Sequence, residues 1–290
     1  FKPFIIGIGL TPEQIKTFEC VGTYFNYDDT TTFSNITTTI KKQKLTKTTA
    51  QVNLLDINKK PTESDVNMTF YDVDRKVYMY NYIHTLNKNG NPDTLYIDDY
   101  PTYKVVAHTI PQTFSEPTKL QEGKHTTIPI DAPQGSMIIK RPNGIYNFNE
   151  KVKYIVRKSE QMNTLHVQSL NTFEKYIVGT YDIEVLTLPR IYLNKVKIEQ
   201  SKQNEIIIPN AGMLQVKAIE AGDGNIMLIK PDGRYERVTN LSTATQQTFY
   251  LQPGKYVIEW RSKSLKGSIY TIEKKFTMLP DQITVVELYK

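Results

Sequence analysis

The chain has 290 residues, 39% of them hydrophobic and 23% charged, which is enough apolar content to build cores and too much for a disordered tail. Its net charge is +6, with 36 Lys+Arg against 30 Asp+Glu spread along the whole length. No nucleic-acid-binding motif accompanies that charge, so no nucleic acid is expected as a partner. No apolar run approaches the ~18 residues a membrane-spanning helix needs, so no transmembrane helix is expected. One cysteine, Cys20, excludes an internal disulfide and a thiolate metal cluster. The first residue is Phe1, so the lack of a signal peptide carries no information about address.

Phe4–Leu10 is a continuous apolar run of strand length, as in a parallel strand covered on both faces. Thr11, Pro12 and Gln14 follow as N-cap, first helical residue and capping-box partner. Ile15 and Phe18 are expected to face inward on a helix Pro12–Val21, which Gly22 ends. Thr23–Tyr27 reads as a short strand. Asp29 caps a second helix whose apolar residues Phe33, Ile36 and Ile40 fall three and four apart. The basic run Lys41, Lys42, Lys44 and Lys47 closes it, where cations suit the helix dipole. This β-α-β-α order predicts an α/β fragment over residues 1–45. Two strands and two helices cannot make a doubly wound sheet, so the rest of that domain is expected outside this chain.

From Thr46 the apolar period changes to two. Gln51–Ile57, Val66–Tyr71, Val77–His84, Thr94–Ile97 and Tyr103–Thr109 read as strands, with turns at Asn58–Pro61 and Asn87–Pro92. Pro111–Lys119 reads as a linker. An internal repeat of about 80–90 residues follows, the size of a small sandwich. One copy opens with Lys124–Ile130 and Ser136–Lys140, the other with Gln203–Pro209 and Met213–Ala218. Gly179-Thr180-Tyr181-Asp182-Ile183-Glu184-Val185 in the first matches Gly254-Lys255-Tyr256-Val257-Ile258-Glu259-Trp260 in the second. Tyr, Ile and Val or Trp alternate on one face, which predicts half-buried strands with Tyr181 and Tyr256 in equivalent places. The fold class is therefore mainly β: tandem small antiparallel β-sandwiches, Ig-like or transthyretin-like, behind an α/β remnant. The expected domains are 1–45, 46–115, 116–200 and 201–290.

No catalytic, cofactor-binding or metal residue is assigned. His84 and His108 lie in neighbouring strands, and with Asp98 and Asp99 they could make a zinc site, but lone strand histidines are more often packed or surface groups. His125 and His166 have no partner motif. Asn87, Asn89, Asn91 and Asp93 alternate through a glycine loop as calcium ligands do, yet the closing bidentate acid is missing and a hairpin turn accounts for them. Ala221–Asn225 reads as another turn. Cys20 lies near the apolar side of its helix, as an inert core thiol does. Gly135-Ser136-Met137 is not a nucleophile elbow, and Gly7-Ile8-Gly9 lacks the third glycine of a dinucleotide loop. The 19 tyrosines and 11 phenylalanines admit sugar stacking, and they are equally the ordinary residues of strands.

Lys2–Leu10 followed by Phe18–Gly22 resembles the closing segment of a von Willebrand factor A domain. Thr48–Asp56, Asn67–Asp72, Gly90–Thr94, Asp131–Gly135 and Ile269–Lys274 are similar to recurrent stretches of bacterial envelope or secreted proteins that carry β domains behind such a domain. The resemblance implies recognition rather than catalysis. It also implies a magnesium ion held by loops that precede this segment, so the Mg²⁺ would belong to the part of the A domain this chain does not contain. The expectation is a non-enzymatic stalk or docking component of an extracytoplasmic assembly (periplasmic, outer-membrane associated or secreted), with protein partners. The alternatives are a carbohydrate- or cell-wall-binding module and an accessory subunit of an envelope enzyme or secretion complex.

Overall fold

The computed structural model describes residues 4–7, 11–19, 23–26, 34, 38, 48–143 and 151–289. They divide between two compact units, Phe1–His108 with Thr113–Asp131, and Thr109–Gln112 with Ala132–Lys290.

The first unit opens with β1 (Phe4–Gly7), α1 (Pro12–Glu19) and β2 (Thr23–Asn26). β1 and β2 pair in parallel, with Phe4 opposite Thr23. Parallel neighbours need a crossover, and α1 supplies it. Its N-terminus is fixed as the residues dictate: the Gln14 side chain accepts the Thr11 backbone N–H at 3.0 Å. The second helix expected around Phe33, Ile36 and Ile40, the basic run from Lys41 to Lys47, and Cys20 lie outside the described residues, apart from Ser34 and Thr38.

The first sandwich follows in the same unit. It comprises β3 (Thr49–Leu55), β4 (Val66–Asp72), β5 (Val77–His84), β6 (Leu95–Tyr96), β7 (Thr102–Ala107), β8 (Thr113–Phe114), β9 (Thr118–Lys119) and β10 (His125–Asp131). One sheet has the order β6-β3-β10; the other runs β5-β4-β7-β8, with β9 also on β7. Alternation places Val52, Leu54, Phe70, Tyr103, Val105, Ile128 and Ile130 in the core.

The second unit holds two more sandwiches. The first of these is β11 (Gln134–Lys140), β12 (Lys153–Lys158), β13 (Thr164–Ser169), β14 (Glu174–Ile177), β15 (Gly179–Val185), β16 (Ile191–Ile198) and β17 (Gln203–Ile207). The last is β18 (Gly212–Ala218), β19 (Gly222–Ile229), β20 (Tyr235–Leu241), β21 (Gln246–Leu251), β22 (Gly254–Ser262), β23 (Ile272–Met278) and β24 (Ile283–Leu288). Their sheets are β14-β11-β17 with β13-β12-β15-β16, and β21-β18-β24 with β20-β19-β22-β23.

With β8 and β9, which both pair with β7, counted as one interrupted sixth strand, all three sandwiches share one topology: strands four, one and seven form the small sheet, and three, two, five and six the large one. Strand one pairs in parallel with strand seven each time, β3 with β10, β11 with β17 and β18 with β24. The two copies read from sequence are equivalent strand for strand, and the first sandwich is a third copy.

The strand assignments at the copy boundaries differ from the sequence reading. His125–Asp131 and Gln203–Ile207 were expected to open the second and third sandwiches. They pair instead with β3 and β11, as the closing strands of the sandwiches before. The physical reason is that strand one follows strand seven after a few residues and both alternate, so local pattern cannot separate them. Residues 111–119, expected as a linker, supply β8 and β9 at the edge of the large sheet, where proline and short pairing are tolerated.

Candidate interaction surfaces

Each fifth strand begins with a buried tyrosine. Tyr181 donates its hydroxyl to the Ile177 carbonyl at 2.6 Å, and Tyr256 donates to the Gln252 carbonyl at 2.6 Å. Tyr103 in the first sandwich reaches the Asp98 carbonyl at 3.0 Å. The three hydroxyls thus close the corner where the chain passes from the small sheet to the large one, four or five residues upstream. This is the arrangement called a tyrosine corner in Ig-type sandwiches. Burial pushes the Tyr181 phenol up to about 12, and Tyr103 and Tyr256 move the same way for the same reason.

The residue that receives the tyrosine also meets a turn from outside its sandwich. Thr187-Leu188-Pro189 joins β15 to β16. Its Leu188 carbonyl accepts the Gln252 N–H of the third sandwich at 2.7 Å. The Thr187 hydroxyl donates to the Pro189 carbonyl at 2.7 Å and holds the turn in shape. Thr109-Ile110-Pro111, within the same compact unit, repeats the pattern. Ile110 accepts the Ile177 N–H at 2.8 Å, and Thr109 donates to the Pro111 carbonyl at 2.6 Å. Both Xaa–Pro bonds are cis. So Ile177 and Gln252 are each held on both sides: the N–H by a Thr-Xaa-Pro turn, the C=O by a corner tyrosine.

Asn210, on the connection from β17 to β18, completes the junction of the last two sandwiches. Its amide donates to the Pro142 carbonyl at 3.1 Å and to the Asp281 carboxylate at 2.8 Å. Behind the Thr187 turn, Glu184 is buried and ion-pairs with Arg157 at 2.8 Å and with Arg190. Burial would raise the Glu184 carboxyl; hydrogen bonds from Arg190 and Arg157 outweigh it and hold the pKa low.

The third sandwich lacks a Thr-Xaa-Pro turn between its fifth and sixth strands. Residues 263–271 take its place, with a 3₁₀ turn at Ser268–Tyr270. Beside it lies a pocket of about 160 Å³ floored by Trp260 and Leu288.

The candidate chemical residues are dispersed. His84 points into the first sandwich, with Nε2 donating to the Val52 carbonyl of the opposite sheet at 3.0 Å. Nδ1 is buried without a hydrogen-bond partner. Burial lowers its pKa. His108 bonds Thr69 Oγ1 at 2.8 Å through Nε2, beside Asn81. β4 turns Thr69 to the face opposite Met68, which pairs beside His84's strand neighbour Tyr82, so the two imidazoles lie on opposite faces of the sheet. Asp98 accepts the Tyr80 hydroxyl at 2.6 Å. His125 contacts Thr49 at 3.0 Å, and His166 lies edge-on to Tyr176. The asparagine loop is a turn: Asn87 Oδ1 accepts the N–H groups of Asn89 and Asn91, and Gly90 takes φ +77°. Among the described residues no group of three His, Cys, Asp or Glu side chains converges as a metal site would require. Sequence reading missed the corner tyrosine of the first sandwich, because Pro101, Val105 and Val106 stand where the other copies carry glycine, isoleucine and glutamate.

No family profile and no curated protein matches this chain. Solved structures do match. The minor pilin GBS52 of Streptococcus agalactiae is 12% identical over 54% of this chain and 94% of its own, with a TM-score of 0.27. The Bacillus anthracis TIE protein is 12% identical over 83% of this chain, with a TM-score of 0.23, and this chain spans about half of it, 50%. The major pilin subunit BcpA of Bacillus cereus, as its D312A variant, is 10% identical over 83% of this chain and 99% of its own, with a TM-score of 0.21.

Proposed function

We propose that this chain is a non-enzymatic stalk or docking component of an extracytoplasmic assembly, cell-envelope bound or secreted, that acts by binding protein. The observation that carries the proposal is the junction of the last two sandwiches. Backbone and amide hydrogen bonds from Leu188, Asn210 and Gln252 fix one module on the next, as a spacer requires. Edge strands on every sheet, β5, β13 and β20 among them, leave backbone groups open to strand addition by a partner.

We assign the segment 1–45 to the closing part of a von Willebrand factor A domain. The parallel β1-α1-β2 unit and its capping box support that assignment.

Two parallel measurements test the reading: bait capture of proteins from a surface extract with the immobilised chain, and binding to an array of cell-wall and surface glycans. A saturable protein partner with no glycan binding is the expected result. Saturable glycan binding lost on replacing exposed tyrosines such as Tyr78 or Tyr192 would replace the stalk by a carbohydrate-binding module.

A further inference from the structure

The pole of the third sandwich departs from that of the second. In the second sandwich the turn between strands five and six gives the Leu188 carbonyl to the Gln252 N–H of the following sandwich. In the third the turn is longer and sets Leu265, Ile269 and Tyr270 around a pocket. Ile269 is 87% exposed, and Ile219, Leu265 and Tyr270 are exposed beside it, around the floor of Trp260 and Leu288. A cluster of large exposed apolar residues at a concave site marks an interaction surface. Its volume, about 160 Å³, suits one aromatic ring: an apolar cavity of roughly 150 Å³ holds benzene.

We propose that this pole docks the first-sandwich corner of a second copy of this chain, with Tyr100 of that copy entering the pocket. Three observations choose this occupant. The same pole of the second sandwich holds the equivalent corner of the third, so the contact continues an interface already present in the chain. The corner segment 97–101 carries a half-exposed aromatic, Tyr100, at 46%. Beside it the Arg75 guanidinium lies 4.3 Å from the Tyr100 ring centre, and the pocket that ring would enter is lined by Glu220, so the charges nearest the contact are opposite. The contact is heterologous, so it extends head to tail rather than closing as a two-fold dimer.

The inference rests on the stalk reading and names its partner. Sedimentation velocity of the whole chain tests it. The wild-type weight-average mass rises from 33.4 kDa with concentration and falls back as salt screens the arginine–glutamate pair. Ile269→Asp and Tyr100→Ala each weaken association at least tenfold with thermal transitions like those of the wild type. Mixing the two variants restores a dimer and nothing larger, because each supplies the surface the other lacks. A wild-type chain that stays monomeric up to about 1 mM overturns the inference. So does association indifferent to both substitutions, or a mixture that remains monomeric. A monomeric chain that still captures a protein from surface extract ends this inference and leaves the stalk reading standing.

Discussion

Replacing Tyr256 by phenylalanine removes one hydroxyl and little else. The ring is fully buried at 0% exposure and stacks on Phe276 with centroids 5.6 Å apart. Phenylalanine keeps that packing. What is lost is the 2.6 Å bond to the Gln252 carbonyl, which is left without its donor. A buried polar group stripped of its partner costs about 1–3 kcal/mol. In a sandwich of this size each 1 kcal/mol lowers the melting temperature by roughly 4–8 °C. Tyr256→Ala removes the ring as well and should cost about 3–5 kcal/mol, as large core truncations do. The chain has one tryptophan, Trp260, 5% exposed in the same core, so its fluorescence reports this sandwich selectively. Denaturant unfolding followed at Trp260 should show the midpoint fall in the order wild type, Phe, Ala, with little change in slope. A loss below ~0.5 kcal/mol for Tyr256→Ala would refute the argument that this corner holds the sandwich together.

Gln252 is buried with both side-chain amide atoms unpartnered, while its backbone makes the junction bond to Leu188 and the corner bond to Tyr256. Gln252→Met should therefore leave the third sandwich as stable as the wild type or more so, since an apolar side chain of similar shape removes an unsatisfied amide; a loss above ~1 kcal/mol in the same unfolding assay would show that the amide is bonded. His84 is buried and its pKa is lowered below the ordinary 6.5, so below that pH the unfolded chain binds a proton that the folded one does not. Stability of the first sandwich should then fall as pH drops below about 6.5, and His84→Leu should flatten that stretch of a melting-temperature profile. A Cβ on Gly222 would lie 2.2 Å from Cε2 of the Trp260 ring, so Gly222→Ala should cost at least about 1–3 kcal/mol and shift the tryptophan emission.

Much of the strand order was legible because a strand with one buried face writes its period into the sequence. Val66–Asp72 and Gly179–Val185 could be read almost to the residue. The α1 cap was legible for the same local reason: Thr11, Pro12 and Gln14 carry their own geometry. What could not be read were decisions made far away in the chain. Whether His125–Asp131 closes one sandwich or opens the next depends on β3, more than seventy residues earlier, and the parallel partner leaves no local mark. The third copy was hidden because Pro101, Val105 and Val106 stand where the other copies carry glycine, isoleucine and glutamate around the tyrosine, although the Tyr103 hydroxyl makes the same corner bond. His84 looked like a candidate ligand because a histidine in a strand shows its chemistry but not its face. The Thr-Xaa-Pro turns carried a signal that could have been found, since Thr109-Ile110-Pro111 and Thr187-Leu188-Pro189 follow strand five at the same distance from the corner tyrosine.

The junction makes few demands on side-chain identity, and this explains how sandwiches so unlike in sequence can be strung in series. A turn carbonyl meets a backbone N–H, and that same residue's carbonyl meets a tyrosine hydroxyl. Only the tyrosine, the turn threonine and the proline are specified by type; Ile177 and Gln252 share no side-chain chemistry. The Leu188–Gln252 link also ties the seating of the third sandwich to the corner that keeps its two sheets together, so loosening Tyr256 should loosen the joint beside it. The end of the third sandwich breaks this economy. Its turn has exchanged the threonine and proline for Leu265, Ile269 and Tyr270, and a backbone contact for a pocket lined by side chains. Side-chain pockets discriminate where backbone bonds do not, which makes that pole the place where a chain built of interchangeable joints becomes selective.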